Sequence, residues 1–325
     1  MIILSPSKKI GCIIVLVYTL FQFTPILLVG CESNQSLNNV ASNQNSSSPV
    51  EVLTGVRLIN VEKVDPSSNL YTLDFYIWFI WDENETTPSD VASFEFLNGV
   101  PQITQTSEEG YPGWLQYRVR GNFIKNLDIR NYPFDSYVLP VTIEHLYMNS
   151  SKLVYVPDPD SSIDKGINFV GWEFSNFKTY SQDHKLTEET FSDYNFSIQV
   201  TRPFLNSFIK YVLPVFVITL ISLLTFFIKP AQFSQRITIT VTTLISASAT
   251  HLSILNGLPP TAYLTIADRI YLAVYSIFLF NLAVTVYLMR LVEQSELKKA
   301  SAFNDRAFKV LIILVCALLA IQFFL

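Results

Sequence analysis

Four apolar segments of membrane-spanning length follow one another after residue 200, at about 208–228, 236–256, 263–291 and 306–325. This succession limits the second half of the chain to a bundle of bilayer-crossing helices. A buried core helix can imitate one such segment, but four in a row would leave a soluble domain with too little to face water. Composition agrees, since half of the residues are apolar and only 15% are charged, against about 25% in ordinary soluble domains. The second segment departs from the others. Eight of its 21 residues are Ser or Thr, interspersed with Ile, Leu, Val and Ala, and His251 and Asn256 lie near its end. A hydroxyl can return its hydrogen bond to its own helix backbone, but this many of them predict a helix with water or polar neighbours along one side. Such a helix cannot seal its polar face against lipid alone, so copies must assemble around it. It is the candidate pore lining.

The N-terminus reads as a targeting segment, because Lys8 and Lys9 precede an apolar run over 10–29, so residues 1–31 are expected to be removed as a signal peptide. Leu28-Val29-Gly30-Cys31 resembles the lipobox of bacterial lipoproteins, which makes Cys31 the expected lipidation site. The alternative is a simple signal peptide with a chance cysteine. Residues 32–49 are rich in Ser and Asn, like a tether. With residue 32 outside, four alternating helices leave Lys229, Arg236, Arg290, Lys298, Lys299, Arg306 and Lys309 inside and an uncharged outer loop at 257–262, as the positive-inside rule requires. The expected location is a multi-pass protein of the plasma membrane, a bacterial inner membrane, with the first half and both mature termini extracytoplasmic.

Residues 50–201 change to short apolar-polar alternations broken by Gly, Pro, Asn and Asp, the pattern of an antiparallel, immunoglobulin-like β-sandwich. Strands are predicted at 52–59, 70–81, 114–123, 136–143, 152–156, 169–180 and 194–201. This half holds 22 acidic against 10 basic residues, whereas the part from Arg202 onward holds 4 against 10. An acidic domain above a pore would concentrate cations by focusing the field, although acidic side chains also simply keep an exposed domain soluble. The three cysteines are Cys12, Cys31 and Cys316, so no disulfide ties the β domain. No metal-ligating cluster, phosphate loop or nucleophile elbow is legible, and His145, His184 and His251 lie far apart. No enzyme, cofactor, metal or nucleic-acid partner is expected.

The segment Leu127-Asp128-Ile129-Arg130-Asn131-Tyr132-Pro133-Phe134-Asp135 resembles the signature loop of the Cys-loop receptors, the pentameric ligand-gated ion channels, with its Pro-Phe-Asp core. The resemblance extends over nearly all of the chain from residue 50. Thr201-Arg202-Pro203 precedes the first membrane helix, Pro214 lies within it, and Leu258-Pro259 follows the polar helix. A short 293–305 linker between the last two helices resembles the bacterial members. The family disulfide would join the positions of Lys125 and Leu139, which cannot bond. The Trp-x-Pro element of the first binding loop is missing from the short stretch between Trp81 and Phe94, which leaves an aromatic-cage site in question.

The resemblance implies ligand contacts at Tyr76 and Trp78 on one strand face, at Glu144 and Tyr147 around the second loop, where Leu146 replaces the usual Trp, and at His184, Phe191 and Tyr194 of a capping loop over 180–194. Aromatics at a subunit interface can hold an ammonium group by cation–π contact. The positions resembling the proton-sensing carboxylate and pore-helix histidine of bacterial relatives are Asn69 and Ala247, neither of which titrates, although His251 and the carboxylate excess leave another proton route open. Coupling between halves is expected at Arg202, whose charge needs a carboxylate partner, Asp135 or Asp65, with Pro133 meeting the Pro259-Pro260 loop.

At 100° per residue, Thr238, Thr242, Ile245, Ala249, Leu252 and Asn256 fall on one stripe of the polar helix, with Ser253 at its edge. The resemblance selects the same stripe for the lumen. Thr238 and Thr242 would ring a constriction beneath an apolar gate at Ile245, Ala249 and Leu252. The inner mouth offers Ser234, Gln235 and Arg236 in place of the Glu ring of cation-selective relatives, and Arg236 matches the Arg of an anion-selective run. The resulting expectation is a homopentameric, ligand-gated, cation-conducting channel, with membrane lipid, an unidentified small-molecule agonist and permeant inorganic ions as partners. The alternatives are an anion channel or a membrane-anchored sensor of the same fold without conduction.

Overall fold

The computed structural model describes residues 48–106, 112–167, 169 and 171–324. The predicted signal peptide, Cys31 and nearly all of the 32–49 tether therefore lie outside the described residues. The chain divides into two units. One runs through Phe208 and also includes Asn256–Ile266; the other comprises Ile209–Leu255 and the chain from Ala267 onward.

The first unit is a two-sheet sandwich. In one sheet the order is β4 (Gln102–Gln105), β5 (Trp114–Ile124), β2 (Leu70–Ile80), β1 (Val50–Asp65) and β7 (Leu153–Pro157), with β8 (Ser162–Ile163) also paired to β1. The other runs β3 (Phe94–Phe96), β6 (Ser136–His145), β10 (Glu189–Thr201) and β9 (Glu173–Leu186). Alternation sorts β2 cleanly: Tyr71, Leu73, Phe75, Ile77 and Phe79 are fully buried, while Tyr76 and Trp78 lie on the opposite, outer face. Aromatic rings join the sheets, Phe75 meeting Phe196 edge-on at 4.9 Å and Phe79 meeting Phe94 at 5.0 Å.

The seven predicted strands form, with ends shifted by up to several residues. Three differences are instructive. The pairings of β1 with β7 and β8 are parallel, which a local alternation pattern cannot report. The predicted capping loop over 180–194 is a continuous hairpin, with β9 reaching Leu186, β10 starting at Glu189 and Thr187 at φ 54 in the turn between. The 81–94 stretch holds a short helix, α1 (Pro88–Val91), capped where Thr87 Oγ1 accepts from Asp90 N. The helix starts with Pro88 at its first position and Asp90 in its first turn.

Gly55 on β1 faces Trp78 on β2. A Cβ at this position would overlap the Trp78 indole, whose Nε1 donates to Asp158 Oδ2 at 2.7 Å. We expect Gly55→Ala to lower stability by about 1–3 kcal/mol, the usual cost of overpacking, read as a fall in the thermal unfolding midpoint of the purified protein. An unchanged midpoint would show that the indole can move aside.

The first helical stretch begins at the end of the first unit as α2 (Phe204–Ser207), widens into a π turn over Phe208–Val212 and continues in the second unit as α3 (Leu213–Leu223). The wide turn sits immediately ahead of Pro214, whose missing N–H and bulky ring forbid an ordinary helical bond there. The polar segment forms α4 (Phe233–Leu255), followed by α5 (Ile266–Glu293) and α6 (Leu297–Phe324). Among the described residues, three helices, Phe204–Phe227, Pro230–Leu255 and Ile266–Glu293, are long and apolar enough to cross a membrane. The last helix starts nine residues before the predicted 306, because its charged first turns carry good helix formers that a hydropathy window passes over. Buried amide bonds join the helices: Asn281 Nδ2 donates at 2.9 Å to Ser222 O and Thr225 Oγ1, and Asn304 Nδ2 donates to Phe226 O at 3.0 Å.

Candidate functional site

Every residue of the predicted stripe, Thr238, Thr242, Ile245, Ala249 and Leu252 on α4 and Asn256 directly after it, is exposed in the single chain, Ile245 at 63% and Leu252 at 59%. Arg236, Thr240, Thr243, Ala247 and Ile254 are buried on other faces. The hydroxyls are largely turned to their own backbone: Thr238 Oγ1 donates to Ser234 O at 3.0 Å, Ser246 Oγ to Thr242 O at 2.9 Å and Ser248 Oγ to Leu244 O at 2.9 Å. With its hydrogen engaged, a hydroxyl presents lone pairs outward as an acceptor. Arg236, expected near an inner mouth, is instead fully buried, its guanidinium 5.5 Å from the Phe226 ring centre and without a hydrogen-bond partner. His251 also turns inward, stacking on Tyr271 at 4.3 Å with Nε2 3.2 Å from Asp268 Oδ1.

Arg202 has the carboxylate partner that its charge requires. Its Nε donates to Asp135 Oδ1 at 2.9 Å and Nη2 to Oδ2 at 3.1 Å, and its backbone N donates to Asp135 O at 3.0 Å. Its guanidinium also lies 4.4 Å from the Trp172 ring centre and 5.3 Å from that of Tyr132. Trp172 was not singled out from the sequence, since no periodic signal places an irregular-segment residue beside Arg202. Asp65, the other predicted partner, is engaged elsewhere: Lys63 Nζ donates to it at 2.6 Å and Ser67 Oγ at 2.5 Å. These bonds hold its carboxyl well below the usual range. Asp65 sits at the end of its own hairpin, where partners two residues away are the nearest.

The signature loop begins at Lys125, whose Nζ donates to Val138 O at 2.9 Å. A hydrogen bond thus ties Lys125 to β6 next to Leu139, the expected disulfide position. The α4–α5 loop is bound to this segment through Tyr263 and Ile266: Ile129 N donates to Tyr263 Oη at 3.3 Å, Ile266 N donates to Arg130 O at 2.9 Å, and the Arg130 guanidinium lies 5.0 Å from the Tyr263 ring centre. Pro133 and Pro259 flank this contact in sequence. Phe134 stacks on Phe204 at 4.9 Å.

The predicted ligand residues separate into two faces. Tyr76 and Trp78 lie outside the larger sheet, where Arg118 sits 5.7 Å from the Tyr76 ring centre while forked onto Asp74 at 3.1 and 2.7 Å. One cation therefore already attends that ring. Glu144, His184 and Phe191 belong to the outer face of the smaller sheet by the alternation of β6, β9 and β10. Tyr147 is exposed beyond β6. Tyr194 is corrected to a core residue: it is fully buried, on the same face of β10 as Phe196 and Ile198, because the hairpin register replaces the free loop in which it was expected. His145 is structural. Its Nδ1 accepts from Tyr147 N and Met148 N at 3.1 and 2.8 Å, so Nε2 carries the proton and donates to Asp90 O at 2.8 Å.

No spacing in the sequence groups Glu144, His184 and Asp193, yet the fold brings their donor atoms within 4.8 Å of one another. His184 Nδ1 donates to Glu144 Oε2 at 2.7 Å and lies 3.8 Å from Asp193 Oδ1. Burial and the adjoining Glu144 push the Asp193 carboxyl up to about 6, and the Glu144 bond raises the His184 imidazole above its ordinary value. Glu144 lies forty residues before His184 and Asp193 nine after it, a spacing that matches no metal motif.

A sandwich rich in aromatic core, followed by helices of membrane-crossing length, one with an exposed hydroxyl and apolar stripe, fits the plan of a membrane receptor-channel. The chain is 23% identical over 303 residues, 85% of its length and 84% of the relative's, to the proton-gated ion channel of Gloeobacter violaceus. It is also 27% identical over 166 residues to pH-sensitive chloride channel 2 of Drosophila melanogaster, covering 48% of this chain and 31% of that one. The third relative is acetylcholine receptor subunit alpha-type deg-3 of Caenorhabditis elegans, 26% identical over 142 residues, 42% of this chain and 25% of that one. No family model matches the chain. These relatives are pentameric ligand-gated ion channels of the Cys-loop receptor superfamily, and the likeness to the first of them covers 85% of this chain. This is a family of channels and receptors and not of enzymes.

Proposed function

We propose that the chain assembles as a homopentamer whose α4 helices line a cation-conducting pore, opened when a small-molecule agonist binds between β domains of neighbouring subunits. The observation that carries this reading is the exposed α4 stripe, with Thr238 and Thr242 at one end and Ile245, Ala249 and Leu252 beyond them. An unpartnered stripe of this kind, on a helix long enough to span lipid, is sealed when copies of α4 enclose a common lumen. The engaged hydrogen of Thr238 leaves an acceptor oxygen there, which suits a partly dehydrated cation. Arg236, buried against Phe226, contributes no guanidinium to that stripe, and the acidic excess of the β domain adds a field that draws cations. In this reading α6 is the fourth crossing, and the β domain and both mature termini are extracytoplasmic.

The interface location follows from the two ligand faces. Tyr76 and Trp78 on one outer face and Glu144, His184 and Phe191 on the other are separated by the sandwich core of a single subunit. Two neighbouring copies can bring one of each together. The test is a current measurement. Purified protein in planar bilayers under a tenfold potassium chloride gradient is expected to reverse near the potassium equilibrium potential, of magnitude about 59 mV for an ideally selective monovalent pore. Reversal near the chloride potential would overturn cation conduction, and silence across a broad ligand and pH screen would favour a non-conducting sensor.

A further inference from the structure

Beyond the channel reading, we propose that Glu144, His184 and Asp193 form a binding site for a zinc-like divalent cation, one in each subunit, on the outer face of the smaller sheet. The donors come from three neighbouring strands, Glu144 from β6, Asp193 from β10 and His184 from β9, and all three donor atoms lie within 4.8 Å of one another. The two distances from His184 Nδ1, 2.7 Å to Glu144 and 3.8 Å to Asp193, bracket the separation of roughly 3.3–3.5 Å between ligands held at about 2.0–2.2 Å around a tetrahedral zinc ion. Shifts of roughly half an ångström complete the triad.

A second observation points to an occupant. Asp193 is only 3% exposed, and its Oδ1, directed at this cluster, has no hydrogen-bond partner. A buried carboxylate oxygen facing a second buried carboxylate is a poor arrangement for the protein alone, and a cation between them removes both the repulsion and the unmet acceptor. The donor set selects among cations. An imidazole nitrogen disfavours calcium and magnesium, which take oxygen ligands, and suits zinc and its borderline neighbours. Gln182 on β9 is the cross-strand partner of Asp193. The His184 side chain is 40% exposed, against 7% for Glu144 and 5% for Asp193. The ion therefore has a way in from solvent, and three protein ligands leave its fourth position open to water or an anion. Binding there ties β6 to the β9–β10 hairpin.

The site is tested on the full-length protein in detergent micelles, stripped of metal with chelator and titrated with zinc chloride by calorimetry at pH 7.5. We expect one zinc ion per chain and a rise in thermal midpoint. His184→Ala and Asp193→Asn should each weaken binding at least about tenfold, since even outer-sphere partners of metal ligands contribute about 10–100-fold. His251→Ala, which removes the other histidine lying against a carboxylate, should bind as the unaltered protein does. Elution of each variant at the same oligomeric size establishes that it folds. Absence of binding in the unaltered protein, or undiminished binding in both ligand variants, overturns the site. Neither result depends on whether the assembly conducts ions.

Discussion

Asp135→Asn is expected to cost about 3–5 kcal/mol, the usual penalty for leaving the remaining charge of a buried pair without its partner. Asp135 is fully buried and the Arg202 side chain is only 17% exposed. The asparagine keeps the shape of the site but cannot match both guanidinium nitrogens, and the rings of Trp172 and Tyr132 do not replace the lost carboxylate charge. At about 2–4 °C for each kcal/mol in a domain of this size, the thermal midpoint should drop by roughly 6–20 °C, with loss of assembled protein. A double-mutant cycle with Arg202→Met distinguishes the ion pair from simple packing. The double variant is expected to recover part of the loss, because removing both charges ends the desolvation problem that either single change creates.

The same change should silence the channel. The β unit holds Asp135, Arg202, the signature loop and the Asn256–Ile266 connection together, and that connection continues covalently into α4 on one side and α5 on the other. Hydrogen bonds from Ile129 to Tyr263 and from Ile266 to Arg130 bind it to the loop that carries Asp135. A displaced signature loop therefore shifts the end of the proposed pore helix. An Asp135→Asn channel with unaltered stability and response would remove the ion pair from both roles.

Ile245→Ala is expected to have the opposite signature, altered currents with little change in stability. The side chain is exposed in the isolated subunit, and a surface substitution of this kind usually costs less than about 0.5 kcal/mol. In the proposed pore the same atoms keep water out of the closed lumen. Trimming isoleucine to alanine removes three carbons, about 2 kcal/mol of apolar transfer at 0.8 kcal/mol per methylene, and a homopentamer repeats the loss five times. Since 1.4 kcal/mol is a factor of ten in an equilibrium, even a fraction of that total should raise unliganded opening more than tenfold. Leu244→Ala deletes a similar volume about 100° round the helix and should not produce the leak. Equal leak from both variants, or none from Ile245→Ala, would place the gate elsewhere on the stripe.

The histidines show how far spacing alone could be read. From sequence, His145, His184 and His251 were three isolated residues with no partner in reach. In the fold His145 caps a short helix through Asp90, His184 meets Glu144 across a neighbouring strand, and His251 lies against Asp268 and Tyr275. The same limit applies to Asp65 and Asp135, both plausible partners of Arg202 by charge, of which the register of the β domain admits only Asp135. Tyr194 and Phe191 were expected to share a loop, yet strand parity sends Tyr194 into the core.

Local signals did reach far where the physics is local. The period of 3.6 placed the α4 stripe, the period of two placed Phe75, Ile77 and Phe79 inside and Tyr76 and Trp78 outside, and the Pro-Phe-Asp loop marked the family, because each depends on residues a few positions apart. Tertiary structure alone decided the parallel pairings of β1, the choice of Asp135 over Asp65, the burial of Arg236 against Phe226, and the meeting of Glu144, His184 and Asp193. In each of these the partners lie on different elements. Their contact is set by sheet order, strand register and helix packing, which no short window of sequence encodes.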